Sequence, residues 1–185
     1  MKMLRFALAG VLALSAPAAT RVTAADDGRD RDQNIRATLV GVSEVPSVVT
    51  AASGRFRGTI AADGLSIDYT ESYSGLQGIV QQSHIHVAQK AVNGGIVIWL
   101  CQTAAVPAPA AVVNLTPVCP QSGSVSGHIT SANVLQAGNG TQQILAGELA
   151  DVIAAIRAGV AYANVHTTLS PGGEIRGQIR ADEKD

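Results

Sequence analysis

The chain has 185 residues, of which 46% are hydrophobic, 15% charged and 3% aromatic, with 19 glycines and a formal net charge of −1. That length suits one domain with a sizeable core. Sparse charge argues against helical bundles, plentiful aliphatic residues exclude disorder, and the charge balance leaves no basic field for nucleic acid.

Lys2 and Arg5 precede an apolar run from Phe6 to Leu14, and small residues continue to Ala24. This pattern predicts a secretory signal peptide over residues 1–24, cut after Ala24 or Ala25. The apolar run falls well short of the ~20 residues a membrane helix needs, and no later run of spanning length appears. The product is therefore expected to be secreted or periplasmic, with no membrane span. Losing Lys2, Arg5 and Arg21 takes the net charge to −4, which favours solubility and disfavours polyanionic partners. In an oxidising compartment the only two cysteines, Cys101 and Cys119, are expected to form a disulfide. It would close the proline-rich segment 102–118 and stabilise the fold by ~3 kcal/mol in the chain-entropy account.

Along the mature chain, residues 25–33 are a mixed-charge leader, expected to be flexible. Asp30, Asp32 and Asn34 imitate the start of a calcium loop, but Ile35 and Gly41 stand where glycine and glutamate are required. Strands are predicted over 34–42 and 55–61, followed by an Asp63-Gly64 hairpin turn. Leu65, Ile67, Tyr69, Glu71 and Tyr73 then alternate with polar residues at the period of a half-buried strand. Further strands are predicted over 78–87 and, fully buried, over 96–100, where Trp99 reads as core. Another follows over 123–130. Leu145, Leu149, Val152, Ile153 and Ile156 share one face of a helix over 145–158, and Gly159 sits where a C-cap glycine belongs. Strands over 161–168 and 174–180 flank a Ser170–Gly173 turn, and 181–185 is a charged tail. These elements predict one all-β domain over 34–180, a Greek-key sandwich or barrel of immunoglobulin-like or superoxide-dismutase-like type. Its one short helix precedes the last two strands.

Chemistry concentrates on histidine. In Ser83-His84-Ile85-His86 both imidazoles point to one face of a strand, ~6.6 Å apart at Cα, close enough to reach one metal ion. Tyr162, Asn164 and His166 share a face of the next-to-last strand, and Glu174 with Arg176 are expected to share one on the last. If these strands are neighbours, His84, His86, His166 and Glu174 form a candidate zinc or copper site. The competing reading is a hydrogen-bonded ladder in which Tyr162, Asn164 and Arg176 pair across strands. His128 stands apart and is expected to be exposed. Glu44, Asp68 and Glu71 read as single solvated acids. Gly123–Gly127 has Val125 at its centre and is no nucleophile elbow, and no P-loop, zincin motif or paired carboxylates occur.

At these positions the chain resembles the chordin-type CHRD domain family. The likeness rests on Gly41-x-x-Glu44-Val45-Pro46, Ser53-Gly54, the His84-x-His86 strand with Asn93-Gly94-Gly95, Tyr162-x-Asn164-Val165-His166-Thr167, and Pro171-x-Gly173-Glu174-Ile175-Arg176-Gly177-Gln178. It implies a secreted all-β domain, found in chordin in animals and as stand-alone exported proteins in microbes. Chordin's cysteine-rich modules are absent here, so growth-factor antagonism does not carry over. With no complete catalytic constellation outside the histidines, the leading expectation is a non-enzymatic extracytoplasmic module that binds a protein or matrix partner. The alternative is a zinc- or copper-binding metalloprotein using the strand His84-x-His86 plus a third histidine, with redox activity as an open option.

Overall fold

The structure is a computed structural model describing residues 33–182. The segment expected to be a signal peptide, the expected leader up to residue 32 and the end of the tail lie outside the described residues. Period-two burial builds eight strands: β1 Asn34–Val40, β2 Ser53–Ile60, β3 Ile67–Ser74, β4 Val80–Val87, β5 Gly95–Cys101, β6 Gly123–Ile129, β7 Ala161–Thr167 and β8 Ile175–Ala181. One helix, α1 (Leu149–Arg157), precedes β7.

All strand pairs are antiparallel, in the order β5-β4-β7-β8-β1-β2-β3-β6. The result is one nearly closed, barrel-like sheet with Greek-key connections. Its open seam is crossed from inside, where the Tyr69 hydroxyl on β3 donates to the Leu100 carbonyl on β5. Ile35, Leu39, Phe56, Ile60, Ile85, Val165 and Ile179 turn inward to the main core, and α1 adds Leu149, Val152, Ile153 and Ile156. A smaller cluster of Trp99, Ala108 and Val112 lies where the disulfide loop folds over the outer side of β5.

Three local departures from the sequence reading have simple causes. Leu65 is 70% exposed because it belongs to the β2–β3 turn, where its amide bonds Asp63 at 2.9 Å. The helix begins at Leu149 because Gly147 takes φ +88 and Glu148 is not helical, so Leu145 stays outside it. Glu71 is fully buried, because the inward face of β3 that holds Tyr69 and Tyr73 also holds every second residue. Neither of its carboxylate oxygens has a hydrogen-bond partner among the described residues. The neighbouring Ser83 hydroxyl works to lower its pKa, but that proton is committed to the Asn164 carbonyl at 2.8 Å. Burial therefore dominates and pushes Glu71 up to about 8.

Two predictions follow from this core. Between the ordinary glutamate pKa of 4.5 and about 8, folded Glu71 keeps a proton that the unfolded chain has lost. Stability must then fall as pH rises through that window, by up to ~1.4 kcal/mol per unit. Urea titrations of Glu71→Gln should match the parent near pH 4 and exceed it by pH 8; parallel curves would show that Glu71 is charged in the folded state. The Cys101–Cys119 disulfide spans 18 residues. Reducing it should cost ~3 kcal/mol, or roughly 10 °C in Tm, while leaving the β spectrum intact. An unchanged melt under reductant would show that this loop is ordered without the bond.

Candidate metal centre

β4 and β7 are neighbours, with His84 opposite Asn164, His86 opposite Tyr162 and Gln82 opposite His166. Alternation sends Ile85, Ala163 and Val165 into the barrel and His84, His86, Asn164 and His166 to its outer side. Register shifts against β5 just before His84 and just before His86 re-aim this stretch of β4. An outer face would ordinarily meet water. Here loops cover it, leaving His84, His86 and His166 only 0%, 7% and 6% exposed.

Each imidazole is oriented by a specific neighbour. His86 Nδ1 lies 2.9 Å from the Gly94 carbonyl, and His166 Nδ1 lies 2.8 Å from the Pro171 carbonyl. A carbonyl only accepts, so both Nδ1 atoms carry the proton and both Nε2 atoms present lone pairs. His84 Nδ1 sits 3.2 Å from His166 Nε2 and must donate to it, leaving His84 Nε2 as a lone pair. His84 Nε2 and His86 Nε2 have no hydrogen-bond partner among the described residues. Burial lowers all three pKa values: His84 falls well below the usual range, His86 falls to about 4, and His166 also drops. The cluster is thus neutral at physiological pH, the state a metal needs.

One ring nitrogen from each of the three histidines fits within 4.8 Å of the others. Bonds of about 2.0–2.1 Å to a tetrahedral ion place ligand atoms roughly 3.3 Å apart, so small ring rotations would close the site. Trp99 forms a wall, its indole edge-on to His84 with ring centroids 4.3 Å apart. Trp99 thus serves both the apolar cluster over β5 and the histidine site.

Beneath His86 lies a polar stack. The Tyr162 ring is parallel to His86 at 4.7 Å, and the Arg176 guanidinium lies 3.3 Å from the Tyr162 centroid. Arg176, 2% exposed, donates to Asn93 Oδ1 at 3.0 Å and to the Val92 carbonyl at 2.6 Å. Asn93 Nδ2 in turn donates to the Val45 carbonyl at 3.1 Å. The cover that supplies the Gly94 carbonyl is therefore tied to β8 and to the loop after β1.

Glu44 was expected to be solvated and is 5% exposed. A 3-10 turn at Gly41–Ser43 swings it inward, closed by its amide on the Gly41 carbonyl at 3.0 Å. Its carboxylate settles on Gly173, where a Cβ would stand 2.2 Å from Oε1 and where φ is +125. Both facts require glycine at that position. Burial raises Glu44 to about 7 even though Arg176 and the Asn164 amide pull the other way. Asn164 also stands beside His86, directly opposite His84 across β4 and β7, and offsets part of the effect of burial on His86. The signal that could have found Glu44 was its place in the Gly41-x-x-Glu44-Val45-Pro46 block.

Glu174 goes elsewhere. β8 starts at Ile175, so Glu174 precedes the strand and does not share Arg176's face. Its carboxylate accepts from Thr167 Oγ1 at 2.7 Å, the Gln77 amide at 2.8 Å, Thr50 Oγ1 at 3.2 Å and the Gly78 amide at 3.4 Å. Burial pushes this carboxyl up, but the donors prevail and hold it below the usual range. Glu174 clamps the β3–β4 connection to β7 and does not join the imidazole group. His128 is exposed and pairs with Asp68 at 2.7 Å.

Replacing Arg176 by lysine keeps the charge but loses the planar contact with Tyr162 and the two-pronged bonding to the cover. Arg176→Lys should cost ~2 kcal/mol in denaturant titrations and speed tryptic cleavage after Lys90, which lies in that cover. Unchanged cleavage would show that residues 88–95 are held without Arg176.

No curated protein and no solved structure matches this chain. The blocks from Glu44 to Gln178 that build the site are also those by which the sequence resembles a known family. The model for the CHRD domain matches residues 35–179, and the chain belongs to the CHRD domain family.

Proposed function

We propose that this CHRD domain is a non-enzymatic extracytoplasmic binding protein whose His84, His86 and His166 hold a single zinc or copper ion. The observation that carries the reading is the preset donor geometry: three buried, neutral imidazoles converge, two of them with Nδ1–H committed to backbone carbonyls. A hydrogen-bonded ladder alone explains less, because it leaves His84 Nε2 and His86 Nε2 buried without a partner. Three nitrogen donors suit zinc and copper and give magnesium or calcium little to bind.

Near-complete burial of the ligands favours a site that retains its metal over one that turns over a substrate. Glu44 and Arg176 set the electrostatics beside it, and Glu174 supports β7 and the β3–β4 connection. The Cys101–Cys119 disulfide is compatible with secretion, as is the N-terminal pattern.

Trp99 is the only tryptophan and touches His84, so its fluorescence reports directly on the centre. Untagged protein titrated with copper or zinc should change that emission and saturate at one ion per chain. His84→Ala and His166→Ala should each lose the response while keeping the β spectrum. Protein that stays metal-free by elemental analysis after exposure to both ions, with unchanged Trp99 emission, would overturn the proposal.

A further inference from the structure

Farther round the sheet, over β1, β2 and the end of β8, the outer face has a different character. Arg36 of β1 stands directly opposite Arg57 of β2 and Arg180 of β8, so three guanidiniums form one row across three adjacent strands. Arg55 lies one outward step along β2, opposite Thr38. All four arginines are exposed. With strands ~4.8 Å apart, the row spans about 10 Å of sheet at the backbone.

Like charges directly opposite one another destabilise a sheet. Asp182 pairs with Arg36 at 2.9 Å and offsets part of this. Around the arginines the outward positions are mostly hydroxylic, Thr38, Thr59, Thr70 and Ser72, with Asn34 and Asp68 at one end, where Asp68 pairs with His128 at 2.7 Å. Two shallow clefts run over this face, one along Arg36, Arg57, Thr59 and Thr70 with the carboxylates of Asp68 and Asp182 also in its lining, the other along Thr38, Arg55 and Ser72.

We propose that this arginine face binds an acidic polysaccharide, taking its carboxylate or sulfate groups on Arg36, Arg55, Arg57 and Arg180 and its hydroxyls on the flanking threonines and serines. The planar guanidinium fork matches such anions two bonds at a time. A linear polymer with one charge per sugar or two presents anions at the spacing of neighbouring strands. Outward positions on β1, β2 and β3 carry no aromatic ring, so the face offers a nucleic acid no base-stacking platform. The negative whole-chain charge, which disfavoured polyanions at the level of sequence, is a sum that hides this segregation. Attraction here is local, on the scale of a ~10 Å Debye length at 0.1 M salt. The inference extends the binding-protein reading but does not depend on the metal.

The full chain would be tested by affinity electrophoresis at low salt in gels containing polygalacturonate, dextran sulfate or neutral dextran, with a single-stranded DNA oligomer as competitor. Retardation is expected in one or both acidic gels and not in neutral dextran, and it should fade as salt rises. Retardation by polygalacturonate alone identifies carboxylates as the ligand chemistry, and by dextran sulfate alone sulfates. The Arg36→Gln/Arg57→Gln pair should bind roughly tenfold more weakly or worse, with a melting temperature equal to or above the parent's because repulsion is relieved. Arg157→Gln removes an exposed charge on α1 and should leave binding nearly unchanged, as should His84→Ala, which separates this proposal from the metal centre. Absence of retardation in both acidic gels would overturn it. So would an equal loss with Arg157→Gln, or preference for the DNA over both polysaccharides.

Discussion

The site depends on how one buried guanidinium is satisfied. Arg176 lies on the outer side of β8, where a cation would normally reach water, and it is instead sealed at 2% exposure. Burying a cation is tolerable only when its field and its hydrogen bonds are met. The Tyr162 ring, the Val92 carbonyl, Asn93 and the nearby Glu44 carboxylate together meet them. That arrangement pulls the β4–β5 loop and the turn after β1 down onto the sheet. The same cover delivers the Gly94 carbonyl to His86 and closes the histidines from solvent.

Satisfying Arg176 also explains the inverted polarity of this side of the barrel. Alternation sends polar residues outward on β4, β7 and β8, yet most of those nearest the site are buried. On β1 and β2 the same alternation operates without a cover, and the outward arginines remain in water. One sheet thus carries two chemically opposite outer faces. Neutral nitrogen donors lie in a closed, low-dielectric setting on one, and permanent cations lie on an open surface on the other. The two proposed roles divide along that line.

Much of the architecture was legible from local pattern. Strand positions, the helix face, the cysteine pair and the shared face of His84 and His86 follow from period and spacing, whereas the pairing of β4 with β7 that brings in His166 was a condition left to the fold. Failures fell where a loop or a strand start overrode the period. Glu174 was paired with Arg176 by counting two residues, but β8 begins one residue after Glu174, and Gly173 at φ +125 redirects the chain there. Glu44 and Glu71 were read as solvated because acids usually are. Glu44 is buried by a 3-10 turn onto Gly173, and Glu71 simply by standing on the inward side of its strand.

Sequence alone determined what depends on near neighbours: a β-rich chain, alternate residues on opposite faces, two histidines pointing the same way, two cysteines flanking a proline-rich loop, and the family blocks. Only the tertiary structure decided what depends on residues far apart in the chain. It set which outer face is covered, which lone pairs remain after the carbonyls of Gly94 and Pro171 take their protons, and that Trp99 walls the histidines. It also gathered Arg36, Arg55, Arg57 and Arg180 onto one face of a chain whose summed charge is negative. Net charge adds residues without regard to position, whereas a field falls with distance. Strand order decides which of those charges a ligand meets together.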